Sequence, residues 1–253
     1  MYNLPKSHPR YLSLLQREKI VEGFKKGMVV PQGLIAQGRA ETFDYILGEK
    51  TIRPAKKAIK AAASLFLLAK YPVISVNGNT AALVGKQVIK LARTTGAKIE
   101  VNLFYRTKER KKKIEKFLIS LGAKRFLVKK TPQVTIPGLK SERRKVSKEG
   151  IFKADVVFVP LEDGDRTEHL IKMGKKVVAV DLNPFSRTSQ KASITIVDNI
   201  VRAMPLLIDM IQKIKNKNRN KLKTILKNYN NKKTLKEIIA IIQKRLIRMS
   251  SLN

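Results

Sequence analysis

The sequence predicts an α/β protein: a Rossmann-like, mostly parallel sheet with helices on both faces, preceded by an N-terminal helical segment. Three observations carry that expectation. Short, β-branched, almost continuously apolar runs such as "PVISVN", "DVVFVP" and "KVVAVD" alternate with longer amphipathic stretches from residue 72 onward, the pattern of strands covered on both faces by helices. The first 70 residues show helical periodicity and no strand pattern. Several apolar runs also end in polar turns rich in Arg, Thr, Asn and Asp, where open α/β sheets bind their ligands.

Element by element, "YLSLLQREKIVEGFKKG" places Leu12, Leu15, Lys19 or Ile20 and Phe24 at three-to-four spacing and stops at Gly27, a helix with a glycine end. "PQGLIAQGRAETFDYILGEKT" opens on a helix-start Pro and ends at Gly48. "RPAKKAIKAAASLFLLAKY" is rich in Ala and Leu, which favour helix. Strands are expected at 72–77, 98–104, 124–128, 155–160, 176–181 and 193–197, with helices over roughly 80–94, 107–121, 166–173 and 199–216. Residues 129–153 break the rhythm with two Pro and two Gly and read as a long loop or excursion, which at that length is more often functional than idle. The chain thus divides into a helical segment over 1–70 packed on the core, a Rossmann-like core over 71–210, and a Lys/Asn-rich tail over 211–253, helical or partly disordered.

Composition narrows the chemistry. The 253 residues include no Cys and two His, His8 and His169, which excludes disulfides and thiolate catalysis and leaves little for a His-based metal site. The N-terminus has no apolar core of signal-peptide length, and no apolar run is long enough to span a bilayer. A soluble cytoplasmic protein is expected. The formal net charge is +35, and the tail carries 13 Lys or Arg against Glu237 alone. A nucleic-acid-binding protein using this basic surface is the alternative from another class. Against it, the tail has one aromatic, Tyr229, and the chain has no Trp for stacking. An NAD-linked enzyme on the same fold lacks its glycine fingerprint here.

The strand ends hold the candidate site. "VNLF" is followed by Arg106-Thr107, "VVFVP" by "LEDGD" and Arg166-Thr167, and "VVAVD" by "LNPFS" and Arg187-Thr188. Thr is a good N-cap, and Arg beside a helix N-terminus suits phosphate or carboxylate. The plainer reading is three unrelated capping Thr, each after a solvated Arg. "VNGNT" places Asn77, Gly78, Asn79 and Thr80 in a strand-to-helix turn, with free N–H groups expected at Thr80 and Ala81; it is otherwise a simple capped turn. Asp181 ends its strand, where a carboxylate accepts from ribose hydroxyls or else closes an Asx turn with Asn183 and Pro184. Glu162, Asp163 and Asp165 gather three of the 19 acids within four positions.

Taken together, "HPRYLSLLQREKIVEGFKKG", "GLIAQGRAETFDYILGEKT", "VISVNGNTAALV", "VNLFYRT", "IPGL", "ADVVFVPLEDGDRTEHLIKMGKKVVAVDLNPFSRTS" and "ITIVDNIVRAMP" closely resemble the archaeal phosphopantothenate synthetases, or 4-phosphopantoate–β-alanine ligases. The resemblance runs from about residue 5 to 210 and does not reach the tail. It implies a homodimeric enzyme of coenzyme A biosynthesis. The implied substrates are ATP, 4-phosphopantoate and β-alanine. The products would be 4′-phosphopantothenate, AMP and pyrophosphate, by way of an acyl-adenylate and with Mg²⁺. It also implies ATP contacts at Arg17, Arg39, Asp181, Leu182, Asn183, Arg187, Thr188, Asn199 and Ile200.

The chemistry suits those residue types. Arg17, Arg39 and Arg187 are permanently charged and bidentate toward phosphate. For the phosphate of phosphopantoate the strand-end position nominates Arg106 or Arg166, with Asn77, Gly78 and Asn79 as further substrate-binding candidates. Asp163 and Asp165 are candidates to dock the β-alanine ammonium and take its proton, or to hold Mg²⁺ through water; Glu162 is as readily solvent-facing. The bland alternative is a polar turn bent at Asp163-Gly164. His8 and His169 are expected in structural roles, and Met173 and Met204 in the core. No specific nucleic-acid or membrane partner is expected.

Overall fold

The computed structural model describes residues 5–8, 10–128, 132–161 and 164–251. Three helices come first, α1 (Tyr11–Lys25), α2 (Pro31–Leu47) and α3 (Arg53–Leu68). Pro31 and Pro54 stand in the first turns of α2 and α3, and α2 stops at Gly48 in a left-handed conformation, φ 85°, which costs glycine nothing. Then follow β1 (Pro72–Val76), α4 (Gly78–Thr95), β2 (Lys98–Val101), α5 (Lys108–Ser120), β3 (Gln133–Thr135), β4 (Lys145–Ser147), β5 (Val156–Pro160), α6 (Gly164–Lys172), β6 (Lys176–Val180), α7 (Arg187–Lys191), β7 (Ile194–Ile196), α8 (Ile200–Ile214), α9 (Arg219–Lys227) and α10 (Asn231–Ser250).

Five strands form a wholly parallel sheet in the order β2-β1-β5-β6-β7. Side chains alternate between its faces, as a period of two requires. Ile74, Val76, Phe158, Val178 and Val180 pack with α3, α4, α5 and α8. Val73, Val157, Val159, Val177 and Ala179 face the other way, onto α6 and the segment after β2.

One expected strand is corrected. "KRFLV" is not a strand. It touches β2 at one residue, where Ile99 N–H donates to Phe126 O (2.8 Å) and Ile99 O accepts from Val128 N–H (3.0 Å). Ala123 and Phe126 turn inward there while Lys124 and Arg125 stay in solvent, so the chain bends before a ladder forms. The excursion after it holds short regular elements. β3 and β4 pair antiparallel, a 3-10 turn spans Glu142–Arg144, and a wide π-type turn spans Lys148–Phe152. Ile136, Leu139, Val146 and Ile151 from this stretch supply the second core cluster. Its anchor is polar: the buried Glu100 carboxylate of β2 accepts from Ser147 N–H (2.9 Å) and Ile151 N–H (2.7 Å).

The tail is helical and packs on the core. Leu235, Ile238 and Ile242 of α10 enter a third cluster with Leu47, Ile52, Ala55, Leu182 and Val197. Just before them, Asn231 Oδ1 accepts from Thr195 N–H (2.8 Å) and Asn231 Nδ2 donates to Ser189 O (2.9 Å). That closes part of the β7 edge, which otherwise offers unpaired backbone. Met204 is buried and Met173 partly so. No helix of the described residues is long and apolar enough to cross a membrane.

Ile238 is fully buried between α10 and the α2–α3 corner. Ile238→Ala is expected to destabilise the fold by about 3 kcal/mol through lost transfer and a residual cavity. Urea unfolding of the full chain measures this, and an unchanged midpoint would mean that α10 is not seated as described.

Candidate active site

The sheet reverses its winding between β1 and β5: β1 leads through α4 to β2 on one side, and β5 leads through α6 to β6 on the other. Connections leave in opposite directions there and open a crevice beyond the carboxyl ends of the strands. A cavity of about 400 Å³ occupies it. α2 forms its roof, presenting Gln32, Gly33, Ala36, Arg39, Ala40 and Phe43 at helical spacing. The floor is made by the turns after β1, β2, β5 and β6. Four adjacent strand ends span three inter-strand spacings, roughly 14 Å, so the cavity is elongated.

At the β6 end, Asp181 accepts from Asn183 N–H (2.9 Å) and from the Ser186 hydroxyl. The Asx turn is therefore formed, while Asp181 and Asn183 also line the cavity. Burial pushes the Asp181 carboxyl up, opposed by Ser186, by the Asn183 amide and by the Arg39 charge. A carboxylate has about four acceptor positions, so two internal donors leave capacity for a ligand hydroxyl. Arg187 and Thr188 line the same end. Arg187 donates to Glu168 Oε2 (2.8 Å) and lies 3.5 Å from Asp165 Oδ1.

At the other end, Asn77 caps α4. Its Oδ1 accepts from Thr80 N–H (2.9 Å), and its Nδ2 donates to Leu161 O (2.9 Å), tying β1 to the end of β5. Ala81 N–H donates to Asn77 O (3.0 Å). The N–H groups of Thr80 and Ala81 are thus taken, contrary to expectation, and those at the first two helical positions, Gly78 and Asn79, have no partner within the helix. Gly78 is required by close approach: a Cβ there would collide with the Met28 carbonyl. Arg110 and Arg143 complete this end with Tyr105.

The structure divides the expected residues. Arg39, Asp181, Asn183, Arg187, Thr188, Asn77, Gly78 and Asn79 line one cavity. Arg17 lies across α2, gripping Glu41 through Nε (3.0 Å) and Nη2 (2.9 Å) beside a separate cavity of about 440 Å³. Leu182 is in the third core cluster. Asn199 caps α8 and donates to Gln16 and Asp44, and Ile200 is buried. Arg106 donates to Lys145 O (3.0 Å) and so braces the excursion. Arg166 is fully buried and donates to Ser75 Oγ (2.8 Å). Of the three Arg-Thr pairs only Thr107 caps a helix, accepting from Arg110 N–H (3.0 Å); Thr167 lies within α6, and Ser186 caps α7. Glu162 and Asp163 lie outside the described residues. His169 Nδ1 contacts Asp165 O (2.8 Å), and His8 Nδ1 accepts from Arg10 N–H (3.0 Å), both local contacts.

Sequence reasoning missed Arg110 and Arg143. Arg110 stood one helical turn beyond the Arg106-Thr107 pair, a readable signal. Arg143 sits in "SERRK" within the excursion, where no pattern separates it from its neighbours. Among the described residues no group of three His, Asp or Glu converges to hold a metal ion. These described residues do not provide a protein cage for Mg²⁺.

A family model described as phosphopantothenate/pantothenate synthetase matches residues 54–245. The chain is 54% identical over 250 residues, 99% of its length and 96% of the relative's, to the 4-phosphopantoate–beta-alanine ligase of Thermococcus kodakarensis. It is 53% identical over 250 residues to the protein of that name in Thermococcus onnurineus, with the same 99% and 96% coverage. It is 49% identical over 251 residues to that of Methanosarcina mazei, covering 99% of this chain and 98% of the relative. The likeness therefore continues through the tail, past the residue 210 at which the motif resemblance stopped.

Hydrogen bonds from Arg187 and then Lys172 hold the Glu168 carboxyl down at about 2. Because the folded value lies below the ordinary one, the pairing is intact above about pH 4.5 and is lost as pH falls toward 2. An NMR-monitored titration is expected to place Glu168 near that value, and Arg187→Gln to move it upward. An ordinary glutamate midpoint in the unsubstituted protein would contradict the pairing that orients Arg187.

Proposed function

The chain belongs to the phosphopantothenate/pantothenate synthetase family, and from that premise we infer that it condenses 4-phosphopantoate with β-alanine as a ligase of coenzyme A biosynthesis. The observation that carries the reading onto this molecule is the elongated cavity at the switch point, with guanidiniums along it and hydroxyl-accepting groups at its β6 end. Amide formation from a carboxylate needs activation, since a carboxylate oxygen is a poor leaving group. ATP supplies it. The pantoate carboxylate oxygen attacks the α-phosphorus, the bond to the bridging oxygen breaks, and pyrophosphate departs. The β-alanine amine, having lost its ammonium proton, attacks the acyl carbon, and AMP leaves with the bonding electrons.

In this reading the nucleoside lies over the β6 end, where Asp181 and Asn183 accept from and donate to its hydroxyls. Arg39 and Arg187 stand over the phosphates and compensate the charge that grows on the phosphoryl oxygens in the in-line transition state. Phe43 and Leu103 line the cavity between them and exclude water. Asp165, 3.5 Å from Arg187 Nη1, is the described candidate for receiving the β-alanine ammonium. Asp165 is not itself in the cavity wall and meets the site beside Arg187. Arg17, Leu182, Asn199 and Ile200, ATP contacts in the family resemblance, would reach the nucleotide through backbone groups or a partner copy rather than through this cavity's wall.

A homodimer fits the surface beside Arg17. Leu12 is 71% and Ile35 72% exposed there, with Val21, Phe24 and Tyr45 partly exposed. Burying such side chains against a second copy removes apolar area from water. Sedimentation equilibrium is expected to return twice the chain mass; a species of 28.6 kDa at micromolar concentration would sink this reading.

Product analysis with ATP, Mg²⁺, 4-phosphopantoate and β-alanine tests the reaction. AMP and pyrophosphate are expected only when both organic substrates are present. ADP in place of AMP would remove the adenylate route. Arg187→Ala is expected to lower turnover at least about a hundredfold with unchanged far-UV circular dichroism, and retained turnover would remove Arg187 from the site.

A further inference from the structure

Helix α2 roofs the cavity with little packing to hold it there. Of its 17 residues only Asp44 and Leu47 are buried, both in the last turn. Gly33 and Gly38 weaken the helix itself, and Ile35 is exposed. At the first turn one bond tethers it to the floor, from Asn79 Nδ2 to Gly33 O (2.8 Å). Arg39 stands between these two ends and lines the cavity, close enough that its charge favours the Asp181 carboxylate. Among the described residues no hydrogen bond or ion pair holds the Arg39 side chain. Its reach is therefore set by where the helix backbone lies.

A polar clamp at the last turn fixes that backbone. Arg202, in the first turn of α8, stands between two buried acids. It donates from Nη1 to Asp44 Oδ2 (3.1 Å) and from Nη2 to Asp44 Oδ1, a two-pronged grip. Its Nε (3.0 Å) and Nη2 (2.8 Å) also donate to Asp198 Oδ1, just past β7. Asn199 Nδ2 gives Asp44 Oδ2 a further donor (2.7 Å), and Thr51, in the turn after α2, donates to Asp198 (2.6 Å). α8 is seated in the main core through Ala203, Met204, Leu207, Ile208 and Ile211. The fork thus carries the position of a firmly packed helix to a loosely packed one.

An apolar contact tolerates sliding, whereas a bidentate guanidinium–carboxylate pair has a defined geometry. Each residue of helix register is a turn of about 100° and a rise of about 1.5 Å. Without the fork α2 is free to roll, and even part of one register step carries Arg39 away from a phosphate. Phe43, next to Asp44, moves with it; its ring meets that of Phe185, in the turn after β6, with centroids 6.5 Å apart. We propose that Asp44 and Arg202 are positioning residues for adenylate formation, holding α2 so that Arg39 meets the phosphoryl oxygens of the transition state. Neither touches substrate; both act through the helix. The proposal rests on the ligase reading above for the reaction and for the part played by Arg39.

A double-mutant cycle on AMP release by the full chain, with ATP, Mg²⁺ and both organic substrates, separates positioning from plain stability. Asp44→Asn keeps the shape but sets an amide N–H against Arg202 or Asn199, and it leaves Arg202 its Asp198 partner. It is expected to lower kcat about ten- to hundredfold with little change in KM for ATP, the mark of an interaction made in the transition state. Arg39→Ala is expected to cost about a hundredfold. The double variant should then lie within about twofold of Arg39→Ala, because the clamp has nothing left to position. Arg202→Lys, which keeps the charge and loses the fork, should show the same dependence on Arg39 with a smaller loss. It carries the test if Asp44→Asn melts below the assay temperature. Losses that multiply in the double variant, or an unchanged kcat in folded Asp44→Asn protein, would each overturn the role. So would failure of both single variants to fold, which would make the pair a stability device. A wild-type chain that releases no AMP removes the ligase reading and the role with it. One that turns over while the losses multiply removes the role alone.

Discussion

A parallel sheet buried on both faces has one place to receive a polar ligand: the ends of its strands. Side chains from five strands are consumed by two core clusters, and every crossover must return a helix to one face or the other. Opposite winding from β1 and β5 leaves their carboxyl ends uncovered. Everything that touches the cavity is either a turn at that edge or an element brought over it. α2 is the element brought over, and it serves as the roof only because its position is fixed.

That position is held by charge. Asp44, 4% exposed near the end of α2, accepts from Arg202 Nη1 (3.1 Å) and Asn199 Nδ2 (2.7 Å) of α8. Arg202 also donates to Asp198 (2.8 Å), which accepts from Thr51 (2.6 Å). Burial pushes the Asp198 carboxyl up, and Thr51 and Arg202 oppose that shift. Such a network contributes less to net stability than to geometry, since desolvating the charges offsets much of their attraction. Here it fixes the register of α2 against α8, and with it the reach of Arg39. The apolar side of the same helix end is closed by α10, so the tail supports the roof of the cavity from behind.

Electrostatics organises the cavity along its length. Acidic groups collect at the β6 and β5 ends, where Asp181 accepts turn donors and Asp165 and Glu168 orient Arg187. The β1 and β2 end is lined with guanidinium and helix N–H groups. A protein with net charge +35 attracts anions everywhere on its surface, yet selectivity among them needs this fixed asymmetry.

Much of this was legible in the chain alone. Uninterrupted β-branched runs specified a sheet covered on both faces, and the polar turns after "VISV", "VVFVP" and "VVAV" marked the crevice, because strand periodicity and turn chemistry are local properties. Arg39, Asp181, Asn183 and Arg187 were readable from long motifs of the family. Tertiary structure alone decided the rest. Whether Thr107, Thr167 or Thr188 caps a helix depends on where each helix begins, which packing sets to the residue. Arg106 and Arg166 share with Arg187 a following Thr, yet one braces the excursion and the other is buried against Ser75. Arg110 and Arg143 are 33 positions apart in the chain, and no local pattern relates them. They meet because Glu100 and Asn102 on β2 fold the excursion back over the strand ends, a long-range closure that periodicity does not encode.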